Sequence, residues 1–507
     1  MISFDWQILK NGNDIRGVAN DGIIGEKPTM TVEKVTSIGQ GFVRWLRNKN
    51  CLTNHRIAIG MDCRITSPMF MTALEESITA MGCDVLNCGL SSTPAMMAST
   101  NMDELNIDAA IMITGSHLPF NRNGLKFFYN NSGITKDELS EILLFAALGN
   151  NERHPSPGNV HIANILALYS LRFKNMIIEH LAEGADDAQQ PLKGLKIVVD
   201  AGNGVGAFFA RRVLKPLGAD ISDSQFLIPD GRFPNHKPNP EDYEAMRSIV
   251  TAVNYAKADL GILFDADVDR VAIVDNEGRA ISRNELVALA AAMVLEEHPG
   301  SAVVTDSITS TGLGHFITNI LGGTHIRYQR GYNNVINEAK RLNDNQQECW
   351  LAVETSGHVA FKENAFSDDG AYFATKLIIK LAKLKRTGQQ LYSLIEQLPV
   401  PMESTEIRLN IHGNDFSRIA HETLSGLRQF VTQIKGWVEV NQNYEGLRVM
   451  CNNEDEKGWF LIRLSLHDPV MPLNIETDIT GGTTVIINKL KMFFRNVSMI
   501  DSTALYK

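Results

Sequence analysis

The sequence predicts a multidomain α/β protein with largely parallel-type sheets, and three observations lead there. Short apolar runs ending in polar residues recur at 56–62, 109–114, 196–200, 260–264 and 302–306. Segments of helical period lie between such runs, as at 207–217 and 285–297. Strand–helix alternation of this kind builds α/β layers. The third observation is length: 507 residues exceed what one hydrophobic core organises, so three or four domains are expected. Ligands of such sheets gather at the carboxyl ends of strands, which is where Ser116 and Asp265 fall.

The first of these sites closes an apolar strand, in the run Ile111-Met112-Ile113-Thr114-Gly115-Ser116-His117-Leu118-Pro119. A G-x-S-x-G elbow would need glycine at 114 and 118, where Thr114 and Leu118 stand, so a hydrolase-type nucleophile does not fit. A plain turn is the structural alternative, since Ser and Gly favour turns. Lys126, ten residues on in Asn123-Gly124-Leu125-Lys126, is placed to steady charge or move a proton.

The second site follows the apolar run 260–264 as Asp265-Ala266-Asp267-Val268-Asp269-Arg270. In an extended stretch alternate side chains share one side, so Asp265, Asp267 and Asp269 would face one point. Three carboxylate oxygens suit Mg²⁺, which keeps further positions for water or phosphate. An EF-hand loop would need Gly and Glu where Arg270 and Asn276 stand. A solvated acidic turn is the other reading, but Arg270 can neutralise the acids or clamp a phosphate. Together the two sites suggest a phosphoryl-carrying serine beside a Mg²⁺.

Composition narrows the partners. Apolar residues make up 44% and charged residues 21%, with a net charge of −10, an ordinary globular balance that argues against nonspecific nucleic-acid binding. Cysteines at 51, 63, 83, 88, 349 and 451 form no zinc spacing, so reduced thiols are expected. Neither a signal peptide nor a membrane span is evident, and a cytoplasmic location is the default expectation.

These residues resemble the α-D-phosphohexomutases, the phosphoglucomutase/phosphomannomutase superfamily. That family's phosphoserine loop reads T-x-S-H-N-P with N-G-x-K after it, and its metal loop reads D-G-D-x-D-R. Both match here with single departures, Leu118 and Ala266. The resemblance implies three similar α/β mixed-sheet domains plus a smaller C-terminal α+β domain around a central cleft. Borders are expected near 160, 279 and 398. Loop composition at 150–158 marks one, and the proline-containing stretch 397–401 breaks a helix at another.

Further motifs take their meaning from this resemblance. Glu354-Thr355-Ser356-Gly357-His358 matches the family's sugar-reading loop, E-x-S-G-H. Glu354 and Ser356 would orient sugar hydroxyls, and His358 has the pKa range for proton transfer. Gly331-Tyr332 resembles a nearby loop that helps select the sugar face. Arg16 belongs to a segment, 13–17, that resembles the family's N-terminal segment, whose arginine points at the phosphoserine. Arg463, Ser465 and His467 lie where the family has its distal phosphate loop, R-x-S-x-T-E-P-K. There His467 replaces Thr, Asp468 replaces Glu, and Val470 stands where lysine is common.

Two other runs compete for attention. The run 200–207, Asp-Ala-Gly-Asn-Gly-Val-Gly-Ala, with Asp220 beyond it, reads alone as a dinucleotide-binding turn. The family carries a similar run as structure. The stretch 229–240 is turn-rich, and its His236 is read as scaffold.

The expectation is therefore a Mg²⁺-dependent isomerase acting on a small phosphosugar. Ser116, Lys126, Arg16, Arg270, His117 and His358 are its catalytic candidates, and Ser116 joins the three aspartates as a metal ligand. Hexose 1,6-bisphosphate would be both intermediate and activator, with glucose phosphate ranked before mannose and glucosamine phosphates. No nucleic acid or membrane partner is expected, and the protein would be a monomer or homodimer. A bisphosphate synthase on the same serine, a phosphoglucosamine mutase, a non-catalytic regulatory relative and a dehydrogenase are the alternatives.

Overall fold

A computed structural model describes residues 4–50, 55–149, 153–183, 185, 187–413, 415–465 and 468–506. The chain forms two compact units, Met1–Ser282 with Ser356–Ser393, and Arg283–Thr355 with Leu394–Lys507.

The first unit holds two sheets. In the larger, of eight strands among the described residues, Val160–Ile162, Asp84–Leu90, Arg56–Met61 and Ala109–Ile113 run parallel, and the Ala109–Ile113/Arg122–Tyr129 and Arg122–Tyr129/Asp14–Val18 pairs are antiparallel. The sheet is thus mixed rather than wholly parallel. Its central strand, Ala109–Ile113, is buried at every position, as a strand covered on both faces must be. Helices Val32–Asn50 and Ser67–Ala80 pack their apolar stripes onto it, through Phe42, Trp45, Phe70 and Leu74. In the second sheet Ile197–Asp200 and Leu260–Phe264 are parallel, and Val271–Asp275 returns antiparallel. The hairpin between Leu260–Phe264 and Val271–Asp275 carries the aspartate loop.

Two local expectations change here. The segment 207–217 does not form a regular α-helix: Phe209–Leu214 is a π-helix and Lys215–Leu217 a 3₁₀ turn. Phe209, Val213 and Leu214 are buried here, and apolar positions at such spacing do not tell one helix type from another. The aspartate run 265–269 is a turn rather than an extended stretch, with Val268 at φ +67°. Alternation along a strand is therefore not what brings the three carboxylates together.

In the second unit Thr324–Arg327, Ala302–Thr305 and Cys349–Val353 are parallel. The C-terminal region is a separate antiparallel sheet ordered Trp437–Glu439, Leu447–Cys451, Gly458–Ile462, Val470–Thr477, Glu403–Ile411, Ile500–Asp501. Helices Phe416–Val431 and Gly482–Phe494 bury Leu427, Ile486 and Leu490 in its core. Among the described residues no helix is long and apolar enough to cross a membrane.

Candidate functional site: a serine turn over three carboxylates

Ser116 lies one turn beyond strand Ala109–Ile113, buried and left-handed at φ +48°. Such a conformation needs outside support in a non-glycine residue, and Asp62 with Arg64 supplies it. Arg64 donates to the carbonyls of Ser116 (2.5 Å), Leu118 (2.7 Å), Pro119 (2.6 Å) and Arg122 (2.8 Å). Its Nε donates to Asp62 at 3.0 Å. Asp62 in turn accepts from Thr114 Oγ1 at 2.8 Å, and that hydroxyl accepts the amide of Ser116 at 2.8 Å. Gly115 is required because a Cβ there would lie 2.4 Å from the Arg64 guanidinium. Arg64 was not among the sequence candidates. Its work is on backbone carbonyls, so the side chain at 118 is not what holds the turn, and Leu118 is tolerated.

Ser116 Oγ donates to Asp265 Oδ2 at 3.1 Å and lies 3.4 Å from His117 Nδ1. Asp265, Asp267 and Asp269 are buried, with ligand atoms within 4.8 Å of one another. The turn that gathers them is seated from both sides. Thr93 donates through its hydroxyl to Asp267 Oδ2 at 2.5 Å and through its amide to the Asp267 carbonyl at 3.0 Å. From the other side, the amide of Val205 donates to the Ala266 carbonyl at 3.0 Å, and a Cβ on Gly204 would lie 2.7 Å from Ala266 Cα. Gly204 thus allows the aspartate loop to approach closely, while Gly202 and Gly206 lie against His236 and Phe264, which accounts for the glycines of 200–207 without a nucleotide. His236 is held beside this run, 3.1 Å from Asp200.

Cations surround the triplet. Lys126 Nζ donates to Asp269 at 2.5 Å and lies 3.6 Å from Asp267. The amide of Arg270 donates to Asp265 at 3.3 Å, and its guanidinium lies 3.7 Å from Glu241. Arg16 donates to the Thr114 carbonyl, beside the serine turn, and to Asp14 at 3.0 Å. His358 pairs with Asp368, a buried carboxylate absent from the sequence candidates. Asp269, His358 and Asp368 also cluster within 4.8 Å.

The electrostatics follow from burial and the surrounding charges. Burial first, then the neighbouring Asp269 and Asp267, pushes Asp265 well above the usual carboxylate range. Burial would also raise Asp269, but Lys126, His358 and Arg270 outweigh it and hold Asp269 below that range. Burial, reinforced by Arg270 and Arg16, keeps the His117 ring well below its ordinary value. Among the described residues Asp267 Oδ1 and Asp269 Oδ1 have no hydrogen-bond donor. Buried anionic oxygens without donors are costly, and a hard divalent cation is what this donor set fits.

Ser356 is buried in the first unit, while Glu354 belongs to the second. There Glu354 Oε1 accepts the amide of Gly331 at 2.5 Å. Gly331, at φ +118°, precedes helix Tyr332–Asp344. Arg463 is buried in the same unit, 3.6 Å from Glu445. Ser465 donates its amide to the Val470 carbonyl at 2.8 Å, and Asp468 faces Arg408 at 3.5 Å on the surface. His467 and Cys51 lie outside the described residues. Cys63, Cys83, Cys88, Cys349 and Cys451 are free thiols, and burial pushes Cys63 and Cys88 up to about 12.

Three family models match in series, the phosphoglucomutase/phosphomannomutase alpha/beta/alpha domains I, II and III, over residues 7–147, 176–278 and 282–401. The chain belongs to the phosphoglucomutase/phosphomannomutase family. It is 30% identical to a phosphomannomutase/phosphoglucomutase of Pseudomonas aeruginosa, over 97% of this chain and 95% of that one. It is 29% identical to a phosphoglucomutase of Neisseria gonorrhoeae, over 97% of each. The fold superposes on a phosphoglucomutase/phosphomannomutase family protein of Burkholderia thailandensis with a TM-score of 0.77, at 26% identity and 98% coverage of both chains. The protein is thus a phosphohexomutase, an isomerase of a family that acts on small phosphosugars. The dehydrogenase alternative is set aside.

Proposed function

We propose that the protein interconverts hexose 1-phosphate and hexose 6-phosphate through a phosphorylated Ser116, with glucose phosphate the first substrate to test and mannose phosphate the second. The observation that carries the reading is one buried cluster in which Ser116 Oγ lies 3.1 Å from Asp265 and Lys126 lies 2.5 Å from Asp269.

Asp265, Asp267 and Asp269, with an oxygen of phosphorylated Ser116, would hold Mg²⁺, which offsets charge developing on the transferring phosphoryl group. The sugar hydroxyl attacks phosphorus and the bond from phosphorus to Ser116 Oγ breaks, leaving the electron pair on Oγ. Lys126 and His358 are the candidates for general acid–base help: Lys126, cationic beside Asp269, would give its proton to the departing Oγ, and His358 in its neutral form would take that of the hydroxyl. Arg16 and Arg270 would neutralise the equatorial oxygens, the guanidinium being suited to that planar contact. The resulting hexose 1,6-bisphosphate turns over and returns its other phosphoryl group to Ser116 by the reverse chemistry. Glu354 and Ser356, with the 331–332 loop, would read hydroxyls common to both orientations. Arg463 and Ser465 would hold the phosphate that is not reacting. The rigid Arg64–Asp62 support gives Ser116 a fixed position in both half-reactions, which in-line transfer rewards.

A coupled assay with Mg²⁺, glucose 1-phosphate and a trace of glucose 1,6-bisphosphate tests this reading. Glucose 6-phosphate formed by the parent, with at least a ~1000-fold loss in Ser116→Ala, is the expected result. Equal turnover by the variant removes the phosphoserine. The departures at 467–470 favour one second reading, a bisphosphate synthase that releases its intermediate. Free bisphosphate accumulating from a phosphate donor would identify it.

A further inference from the structure

In the second unit a glutamate of the protein lies beside the buried Arg463. Glu445 sits in the loop before strand Leu447–Cys451. Its Oε2 accepts from the Ser307 hydroxyl and from the amide of Arg330 at 3.2 Å. The next amide, Gly331, donates to Glu354 at 2.5 Å. Two glutamates from distant parts of the chain thus take consecutive amides of one loop.

Arg463 stands in a different relation to Glu445. Its Nη1 is 3.6 Å from Glu445 Oε1, within ion-pair range but beyond a hydrogen bond. Nη1 has a long contact of 3.4 Å to the Leu464 carbonyl. Among the described residues Nε has no acceptor at all, although the side chain is 7% exposed. Two further carboxylates, Asp306 and Glu406, act on Arg463 electrostatically. Asp306 accepts through Oδ2 from Thr355 N (3.2 Å) and Oγ1 (2.6 Å), while its Oδ1 has no hydrogen-bond partner among the described residues and so does not bond to Arg463. Glu406 accepts from Asn474 at 3.2 Å. Glu445 therefore compensates the charge of Arg463 without using its donors. A buried guanidinium in that state is neutralised but under-bonded, and a phosphate presenting two oxygens completes it.

We propose that Glu445 is a resident counter-anion of the Arg463 site, a positioning residue that lowers the affinity of this site for phosphate so that a phosphorylated ligand is held exchangeably. The inference rests on the reading of Arg463 as the distal phosphate contact. A mutase intermediate with two phosphates must leave this site and return by its other end, and a fixed negative charge beside the arginine favours departure. Ser307 and the Arg330 amide keep the carboxylate in place when phosphate enters, so its repulsion persists.

Calorimetric titration of the full chain with inorganic phosphate tests the proposal without requiring turnover. Glu445→Gln keeps an acceptor for Ser307 and Arg330 but removes the charge, and should bind phosphate about fivefold more tightly than the parent. Arg463→Ala should lose this binding, and the double variant should bind as weakly as Arg463→Ala alone. In the mutase assay Glu445→Gln should lower KM without raising kcat. Unchanged or weaker phosphate binding by a variant with parental melting temperature overturns the proposal. Should Glu445→Gln unfold, Glu445→Ala replaces it, and if both unfold the residue is a structural ion-pair partner and the proposal falls. A mutase with unaltered phosphate affinity loses this inference alone. Tighter binding in a protein without mutase activity keeps the counter-anion and removes the reading beneath it.

Discussion

In the first unit the buried carboxylates Asp265, Asp267, Asp269 and Asp368 share Lys126, Arg270 and His358, and two aspartate oxygens lack donors among the described residues. In the second unit the buried Arg463 has a carboxylate beside it that does not hydrogen-bond to it. The first cluster is short of positive charge, and in the second the Arg463 Nε is without an acceptor among the described residues. Each is a poor arrangement for an isolated protein, because buried groups left unsatisfied cost stability. The difference would separate their ligands by chemistry: the donor set of the first fits a hard cation, and the guanidinium of the second would take a phosphate under the reading proposed above.

The comparison breaks most severely at the cation. Asp267→Asn, or chelation of the parent with EDTA, should cut turnover by about 10²–10³-fold, the scale of several kcal/mol of lost charge stabilisation. Mg²⁺ should raise the melting temperature of the parent but not that of the variant, as binding to the native state alone requires. An equal rise in both would place the cation elsewhere. Arg64→Met asks whether the serine turn depends on its support. Four carbonyls and Asp62 would lose a buried donor, and a loss of about 3–5 kcal/mol in stability with a ~100-fold fall in kcat is expected from denaturant melts and the coupled assay. Parental kcat would show the turn to be self-supporting.

Arg463→Ala tests the second cluster. KM for the phosphosugar should rise about tenfold or more while kcat falls less, since the contact is to a non-reacting group. A fall confined to kcat would move Arg463 to the chemistry.

The smallest effect concerns stability alone. Burial pushes Glu476 up to about 7 from its ordinary 4.5, against the lowering influence of Arg448 and of Trp459, whose indole N–H donates to it at 3.0 Å. Its proton is bound more tightly folded than unfolded. The associated stability is therefore fully present below about 4.5 and is lost as pH rises to about 7. Glu476→Gln should flatten that slope in thermal melts, by at most a few kcal/mol, and leave kcat unchanged. An unaltered slope would assign it to other groups.

Much of the first cluster is legible in the chain because its members lie within short runs. Ser116 and the three aspartates stand just after apolar strands and Lys126 ten residues beyond the serine, and strand burial follows directly from residue type. Arg64, Thr93, Asp368 and Glu445 carry no such mark. Arg64 reaches the Ser116 carbonyl 52 positions away, Thr93 reaches Asp267 across 174, and Ser307 reaches Glu445 across 138. Arg64 acts mainly on backbone carbonyls, which present no partner residue type, and the side-chain partners of Thr93 and Glu445 lie too far along the chain to form a local pattern.

The sequence by itself determined the α/β layering, the family, and which short runs bear hydroxyl, carboxylate and cation, because these depend on local periodicity and residue chemistry. Only the tertiary structure decided that the aspartates converge through a turn at Val268 rather than along a strand, and that Ser116 is held left-handed by a buried arginine. It alone decided that Arg463 meets a carboxylate without bonding to it. Those outcomes depend on long-range packing and on where backbone donors and acceptors finally point, which no local run of residues specifies.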